Sequence, residues 1–185
     1  MLREIISRVA LGSFAILSLT LPIAAFAAPN PAPTMVPITK PDFSSMNFLL
    51  GSWACTTKVR GSNRPDTSTT QVQMDGQWMV TQDVAPPFDK FRTVPINGTT
   101  YVGYDSDAKR WVATGVDSFG GYGISVSPGW QGNTIVWTDK FVQGDTPAVT
   151  TITKISDTQT RAVSTGKDLS GNSITTTTDC KKTGS

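Results

Sequence analysis

The chain has 185 residues, about the length of one domain, and a formal net charge of +2. It therefore lacks the basic excess that attracts nucleic acid or an anionic membrane surface. Histidine is absent, and the one glutamate is Glu4. These absences exclude histidine-based catalytic triads, HExxH zinc sites, His-ligated haem and glutamate-based hydrolytic pairs. We predict no metal site, no cofactor and no nucleic-acid partner.

The N-terminal segment predicts export. Residues 1–8 are weakly basic, residues 9–26 are almost entirely apolar, and residues 25–27 (AFA) form the small-x-small pattern of a signal-peptidase site. We interpret residues 1–27 as a signal peptide, so the mature protein is periplasmic or secreted, with no stable membrane insertion after cleavage. The alternative is a retained membrane anchor, which Pro22 disfavours because it interrupts the apolar run.

After this segment, the sequence indicates a short leader and one domain. Residues 28–41 contain five prolines and read as an extended, flexible leader. Residues 42–50 combine possible serine caps with apolar residues, which predicts a short N-terminal helix. The single domain is predicted to span residues 42–182.

The rest of the domain is rich in Thr, Val, Ile and aromatic residues, in short runs separated by Gly, Asp, Asn and Pro. This pattern is typical of antiparallel strands joined by tight turns. We predict ten strands, at residues 52–60, 67–74, 77–84, 99–104, 110–117, 122–127, 133–142, 148–155, 159–166 and 173–181. About ten strands in meander order favour an all-β, antiparallel up-and-down barrel, because closure removes exposed edges.

Two cysteines, Cys55 and Cys180, fall in the first and the last predicted strand. In an exported chain an even number of cysteines favours a disulfide, and two buried free thiols are the alternative. Only a closed barrel, or a sandwich that brings its ends together, makes these two residues neighbours. A barrel of eight strands is just filled by side chains or holds one small ligand, so ten strands predict a larger lumen.

Several short motifs resemble one known group of barrels. Residues 47–53 (NFLLGSW) are similar to the helix and G-x-W entry of lipocalin-like (calycin) barrels. Together with the motifs at 74–76 (MDG), 101–105 (YVGYD), 109–111 (KRW) and 115–118 (GVDS), they resemble an exported bacterial family of unknown function that is related in fold to the nitrobindins.

The resemblance implies a lipocalin-like or nitrobindin-like barrel with the short helix closing one end. It also implies a structural role for Trp53 at the closed end. Nitrobindins bind haem through a histidine, and because this chain has none, that property does not carry over.

A lumen in this barrel would bind a small, largely apolar molecule against aromatic side chains. Strand alternation and aromatic size suggest a lining set, for which ordinary core packing is the alternative: Trp78, Tyr101, Trp111, Trp137 and Phe141.

Two further classes of function stay open at this stage. One is a structural or interaction module with a filled lumen and an exposed apolar patch. The other is an enzyme that depends on an aspartate, for which the candidates are Asp83, Asp117 and Asp139, provided that one points inward with a raised pKa. An outer-membrane barrel is disfavoured, because residues 173–181 are mostly Thr and lack an apolar face.

Overall fold

The computed structural model describes residues 39–59, 62–73, 76–87, 93–143, 146–168 and 170–184. The predicted signal peptide and nearly all of the predicted leader lie outside these residues, so both stay predictions.

The described chain is almost entirely β structure, with these strands: β1 (Gly51–Val59), β2 (Ser62–Gln73), β3 (Trp78–Ala85), β4 (Ile96–Asp105), β5 (Arg110–Asp117), β6 (Tyr122–Ser127), β7 (Trp130–Gln131), β8 (Thr134–Val142), β9 (Val149–Ser156), β10 (Gln159–Lys167) and β11 (Ser173–Gly184).

Ten of these strands form a closed antiparallel barrel. From β1 to β6 and from β8 to β11, each strand pairs with the next along the chain. Pairing of β6 with β8 and of β1 with β11 completes the ring. The two-residue β7 is an extra strand beside β8. The predicted antiparallel barrel of about ten strands is therefore confirmed.

Local sequence explains why strands and turns fall where they do. β9 reads VTTITKIS and β11 contains four consecutive threonines, and such β-branched residues suit a pleated sheet. Aspartates fix two of the turns. The Asp105 carboxylate accepts a hydrogen bond from the Ala108 N–H, and the Asp117 carboxylate accepts hydrogen bonds from the N–H groups of Phe119 and Gly121.

One irregularity in the barrel lies on β8. Ser125 of β6 pairs with Asp139, but the preceding residue, Ile124, pairs with Phe141. Lys140 is therefore an extra residue, a β-bulge, and the alternation of inward and outward side chains shifts by one residue after it.

A cluster of buried apolar side chains lies toward one end of the barrel. They are Phe43, Met46, Met79, Trp111 and Ile135. The Phe43 and Trp111 rings lie 5.3 Å apart. Phe43 and Met46 come from the segment before β1, which therefore packs against side chains of β3, β5 and β8.

The predicted N-terminal helix corresponds to a single 3-10 helix, Ser44–Leu49, and not to a regular α-helix. The Trp53 Nε1–H donates a hydrogen bond to the Leu49 carbonyl oxygen at 2.9 Å, which ties the end of this helix to β1. Closure of one end of the barrel by this segment stays a prediction.

Candidate functional site

An internal cavity of about 370 Å³ lies inside the barrel, next to the buried apolar cluster. Its walls come from the 3-10 helix, from all ten barrel strands and from β7. The apolar lining residues are Met46, Leu49, Trp53, Met79, Val102, Ala113, Trp130, Ile135, Trp137, Ile152 and Ala162. The remaining lining residues are Ser68, Thr70, Thr81, Thr100, Ser125, Asp139, Thr150, Thr160 and Cys180.

The lining follows from the register of the strands. Residues that pair across strands share a face of the sheet, and pairing links Thr70 to Thr81, Thr81 to Thr100, and Ala113 to Ser125. Every second residue of these strands therefore faces the lumen. The sequence supplies mainly small or hydroxyl-bearing residues at these positions, so the middle of the ring is not filled.

The polar side chains in the cavity are partly satisfied by one another. The Thr70 and Thr81 hydroxyl oxygens lie 2.9 Å apart. The Ser125 hydroxyl donates a hydrogen bond to the Asp139 carboxylate at 2.6 Å, and the Ala148 N–H donates to the other oxygen at 2.9 Å. The cavity thus has an apolar aromatic wall and a small number of fixed polar groups.

The disulfide between Cys55 and Cys180 borders this cavity. The two residues are directly opposite each other in the pairing of β1 with β11. The predicted cross-link between the first and the last barrel strand is confirmed.

Further along the lumen, away from the apolar cluster, lies a group of charged residues. Asp66 pairs with Cys55 and Asp83 pairs with Ser68, so both carboxylates are on the inner face. Burial, and after it the neighbouring Asp66, raises the pKa of Asp83 to about 6. Burial also raises the pKa of Asp66, although backbone hydrogen bonds and the charge of the nearby Arg64 act to lower it.

Two of the five predicted lining residues lie on the inner side. Trp137 lines the cavity. Trp111 is buried within the apolar cluster at the end of the lumen, where it stacks edge-on against Tyr104 with 5.2 Å between ring centroids. Ala113, two residues further on, does line the cavity, so the predicted common face of Trp111 and Ala113 is correct.

The other three predicted lining residues, Trp78, Tyr101 and Phe141, require correction. Met79 and Val102 line the cavity, so their neighbours Trp78 and Tyr101 point to the outer face. There the two rings pack edge to face, 6.4 Å apart. Phe141 would face inward by simple alternation, but the β8 bulge turns it outward, where its ring contacts that of Tyr122.

Trp78 covers a glycine on the outer face, which leads to a stability prediction. A Cβ added at Gly103 would lie 2.7 Å from the Trp78 ring. We expect Gly103→Ala to lower the free energy of unfolding by about 1–3 kcal/mol, because the ring must move off the sheet. Urea unfolding measures this effect. Gly115→Ala is the control, since its Cβ meets nothing closer than 3.5 Å, and an equal loss in both variants would contradict the explanation.

The outer surface beside β5, β6 and β8 carries exposed apolar residues. Val116 pairs with Tyr122 and Ile124 pairs with Phe141, and all four side chains are exposed. Phe119, in the turn between β5 and β6, is 62% exposed. A groove of about 600 Å³ lies at this rim.

Two features are absent from the described part of the chain. Within the described ranges, no cluster of three or more Cys, Asp or Glu side chains is placed to hold a metal ion. No helix in the described part of the chain has the length and apolar character needed to cross a membrane.

The closed ring and its internal cavity define an antiparallel up-and-down β-barrel. No protein-family model matches the chain, and no curated protein matches it. One solved structure of similar fold is the S-type phycobiliprotein lyase from Guillardia theta, with a TM-score of 0.54 and 11% identity, over 77% of this chain and 91% of the lyase. A redesigned beta barrel is 14% identical over 74% of this chain and 93% of its own, with a TM-score of 0.40. The lyase likeness shows the fold alone, and membership of the exported bacterial family stays a prediction.

Proposed function

We propose that this protein is exported and binds a small, largely apolar molecule inside the barrel. The observation that carries the proposal is the internal cavity, whose volume of about 370 Å³ lies within the roughly 300–1,000 Å³ of small-molecule sites. Such sites are mostly apolar with a few placed polar groups, which is the composition of this lining. Trp137, Trp53 and Trp130 supply the largest contact areas, and Asp139 and the threonines would orient the ligand.

The geometry of the two ends supports a direction of entry. Phe43 and Met46 belong to the apolar cluster and Leu49 packs against it, so we propose that the 3-10 helix closes this end of the barrel. The ligand would then enter from the opposite end and pass Asp83 and Asp66 on its way to the tryptophans.

Export is supported by the disulfide, because such cross-links persist in oxidising compartments. The test is mass spectrometry of protein expressed with its own first 27 residues and recovered from the export compartment. We expect cleavage after Ala27 and an oxidised cysteine pair. Intact protein retained in the cytoplasm with reduced cysteines would contradict export.

The binding proposal is tested with phenylnaphthylamine, a neutral apolar dye whose fluorescence rises on burial. We expect saturable binding with one dye per barrel. Ala162→Phe places a ring in the cavity and should weaken binding at least about 10-fold, whereas Val136→Phe, on the outer face, should leave it unchanged. Equal dye binding by both variants, or none by the unmodified protein, would contradict the proposal.

Asp83 supports a second candidate function, an aspartate-dependent enzyme. Its carboxyl lies on the inner face with a pKa raised to about 6 beside a second carboxyl, an arrangement found where one group acts as a general acid or base. If a substrate screen finds an activity, that activity should be lost in Asp83→Asn. In the unmodified protein, its rate should change with pH around a pKa near 6. A turnover that persists in this variant would exclude the role.

A further inference from the structure

The charge of the cavity lining comes from one residue. Among the described residues that line the cavity, Asp139 alone is ionisable, and all others are apolar or carry hydroxyl groups or the disulfide. A fatty acid or another anion placed in the cavity would therefore meet a negative charge and no lysine or arginine on the wall. The lining thus disfavours anionic ligands on electrostatic grounds.

The Asp139 carboxylate also retains capacity for a ligand. A carboxylate offers about four acceptor positions, and the hydrogen bonds from Ser125 and Ala148 occupy two. Neither partner is cationic. The ion pairs found in the described ranges join Arg110 to Asp105, Lys154 to Asp157 and Arg161 to Asp179, so Asp139 is not among the carboxylates neutralised in this way.

The aromatic wall beside Asp139 suits a positive charge. Trp137 precedes Asp139 by two residues on the same inner face, which spaces them about 7 Å apart along the strand. Tryptophan is the side chain whose ring face attracts cations most strongly. The chain already uses this attraction at two other rings: the Lys154 ammonium lies 4.5 Å from the Phe48 ring centroid and the Lys182 ammonium 5.4 Å from that of Trp53.

The rest of the lumen does not reverse this preference. On the inner face beyond the cavity, Arg64 is accompanied by two carboxyl groups, Asp66 and Asp83. Lys182 pairs with Trp53, and its ammonium lies over that ring of the cavity wall, away from Asp66 and Asp83. The Lys154 ammonium is paired with the Asp157 carboxylate at 2.6 Å. A cation that moves along the lumen therefore passes acidic groups before it reaches Asp139.

We infer that the cavity selects positively charged amphiphiles, that is, organic ammonium ions with an apolar body. Asp139 is the charge partner, Trp137 is the aromatic face, and the remaining apolar wall holds the body of the ligand. The inference rests on the proposed binding function and specifies its ligand class. Asp139 is then the residue that determines specificity for charge.

The test is a matched series of three probes with one apolar body and different charge. Phenylbutylamine is cationic at neutral pH, phenylbutanol is neutral and phenylbutyrate is anionic. By calorimetry on the full-length mature protein, we expect the amine to bind at least about 10-fold more tightly than the alcohol, and the carboxylate at least about 10-fold more weakly. Equal affinities, or a preference for the carboxylate, would overturn the inference and leave cavity binding intact. Failure of all three probes and of phenylnaphthylamine to bind would overturn both proposals.

The Asp139→Asn variant tests the residue itself. It should bring the amine and the alcohol within about 3-fold of each other, because the amine loses more affinity than the alcohol. Asp107→Asn, on the exposed turn between β4 and β5, is the matched control and should retain the preference. If Asp139→Asn lowers the affinity for both probes equally, Asp139 has only a structural role in the cavity. This result would overturn its assignment as the residue that determines specificity for charge. If this variant does not fold, the order of affinities in the unmodified protein decides the inference.

Discussion

Removing the Cys55–Cys180 disulfide should lower the free energy of unfolding by about 4–5 kcal/mol, the range expected for a loop of more than 100 residues. The two cysteines are 125 residues apart in sequence, so the cross-link restricts nearly the whole domain in the unfolded state. The pairing of β1 with β11 extends from Ser52 to Val59, and its other residue pairs remain when the cysteines are replaced. We therefore expect the folded barrel to persist while its stability falls.

Urea unfolding of the Cys55→Ser/Cys180→Ser double variant measures this loss. Unmodified protein unfolded in the presence of reductant should have the same free energy of unfolding as the double variant. Reductant should not change the free energy of unfolding of the double variant. A loss below about 1 kcal/mol would contradict the loop-closure explanation.

The second large effect concerns pH, and its origin is the Asp83 carboxyl. Its pKa in the folded barrel is raised from 3.8 to about 6, so between these values the folded state binds more protons than the unfolded state. Stability is then highest in mild acid and falls as pH rises through the folded pKa, by roughly 2–3 kcal/mol in total. Asp66, whose pKa is also raised, acts in the same direction. Asp42 and Asp157, whose pKa values are lowered by Ser44 and Lys154, titrate below this window.

Urea midpoints at about pH 4 and about pH 8 measure the Asp83 effect, because the stability is lost between the unfolded pKa of 3.8 and the folded pKa of about 6. We expect Asp83→Asn to be more stable than the unmodified protein at the higher pH and to lose most of the pH dependence. Asp107→Asn should keep the full dependence, because that turn residue is exposed. Stability that rises with pH in the unmodified protein would contradict the argument.

The positions of the strands could be predicted because β-branched runs and turn residues alternate clearly along this chain. The predicted strands at 110–117 and 122–127 coincide with Arg110–Asp117 and Tyr122–Ser127. β2 begins earlier than predicted, at Ser62, although Asn63, Pro65 and Asp66 have low strand propensity. Pairing with all nine residues of β1 imposes the extended conformation there, which is a tertiary effect that local sequence does not carry.

The faces of the strands were harder to predict than their positions. On β3 and β4 both faces carry apolar residues, so alternation alone did not decide that Met79 and Val102 point inward and Trp78 and Tyr101 outward. On β8, the bulge at Lys140 reversed the face of Phe141. Such a bulge depends on the partner strand and leaves no clear signal in a single sequence.

The polar part of the site was predicted only in part. Asp83 and Asp139 were two of three candidate aspartates, and the structure places both on the inner face. Asp66 was missed because its segment reads as a turn. Its proximity to Asp83 follows from the register between β2 and β3, which no local pattern specifies. The threonines of the cavity lie on other strands than Ala113 and Trp137, so their inward orientation also depends on the register between strands.

The pairing of β1 with β11 also has a consequence for the order in which the barrel folds. Most neighbouring strands are joined by short turns, so their contacts form at low entropic cost and early. β1 and β11 are the neighbours furthest apart in sequence, so we expect them to meet last, after the intervening meander has assembled. Cys55 and Cys180 would then oxidise late in folding, and their cross-link would mark chains whose ring has already closed.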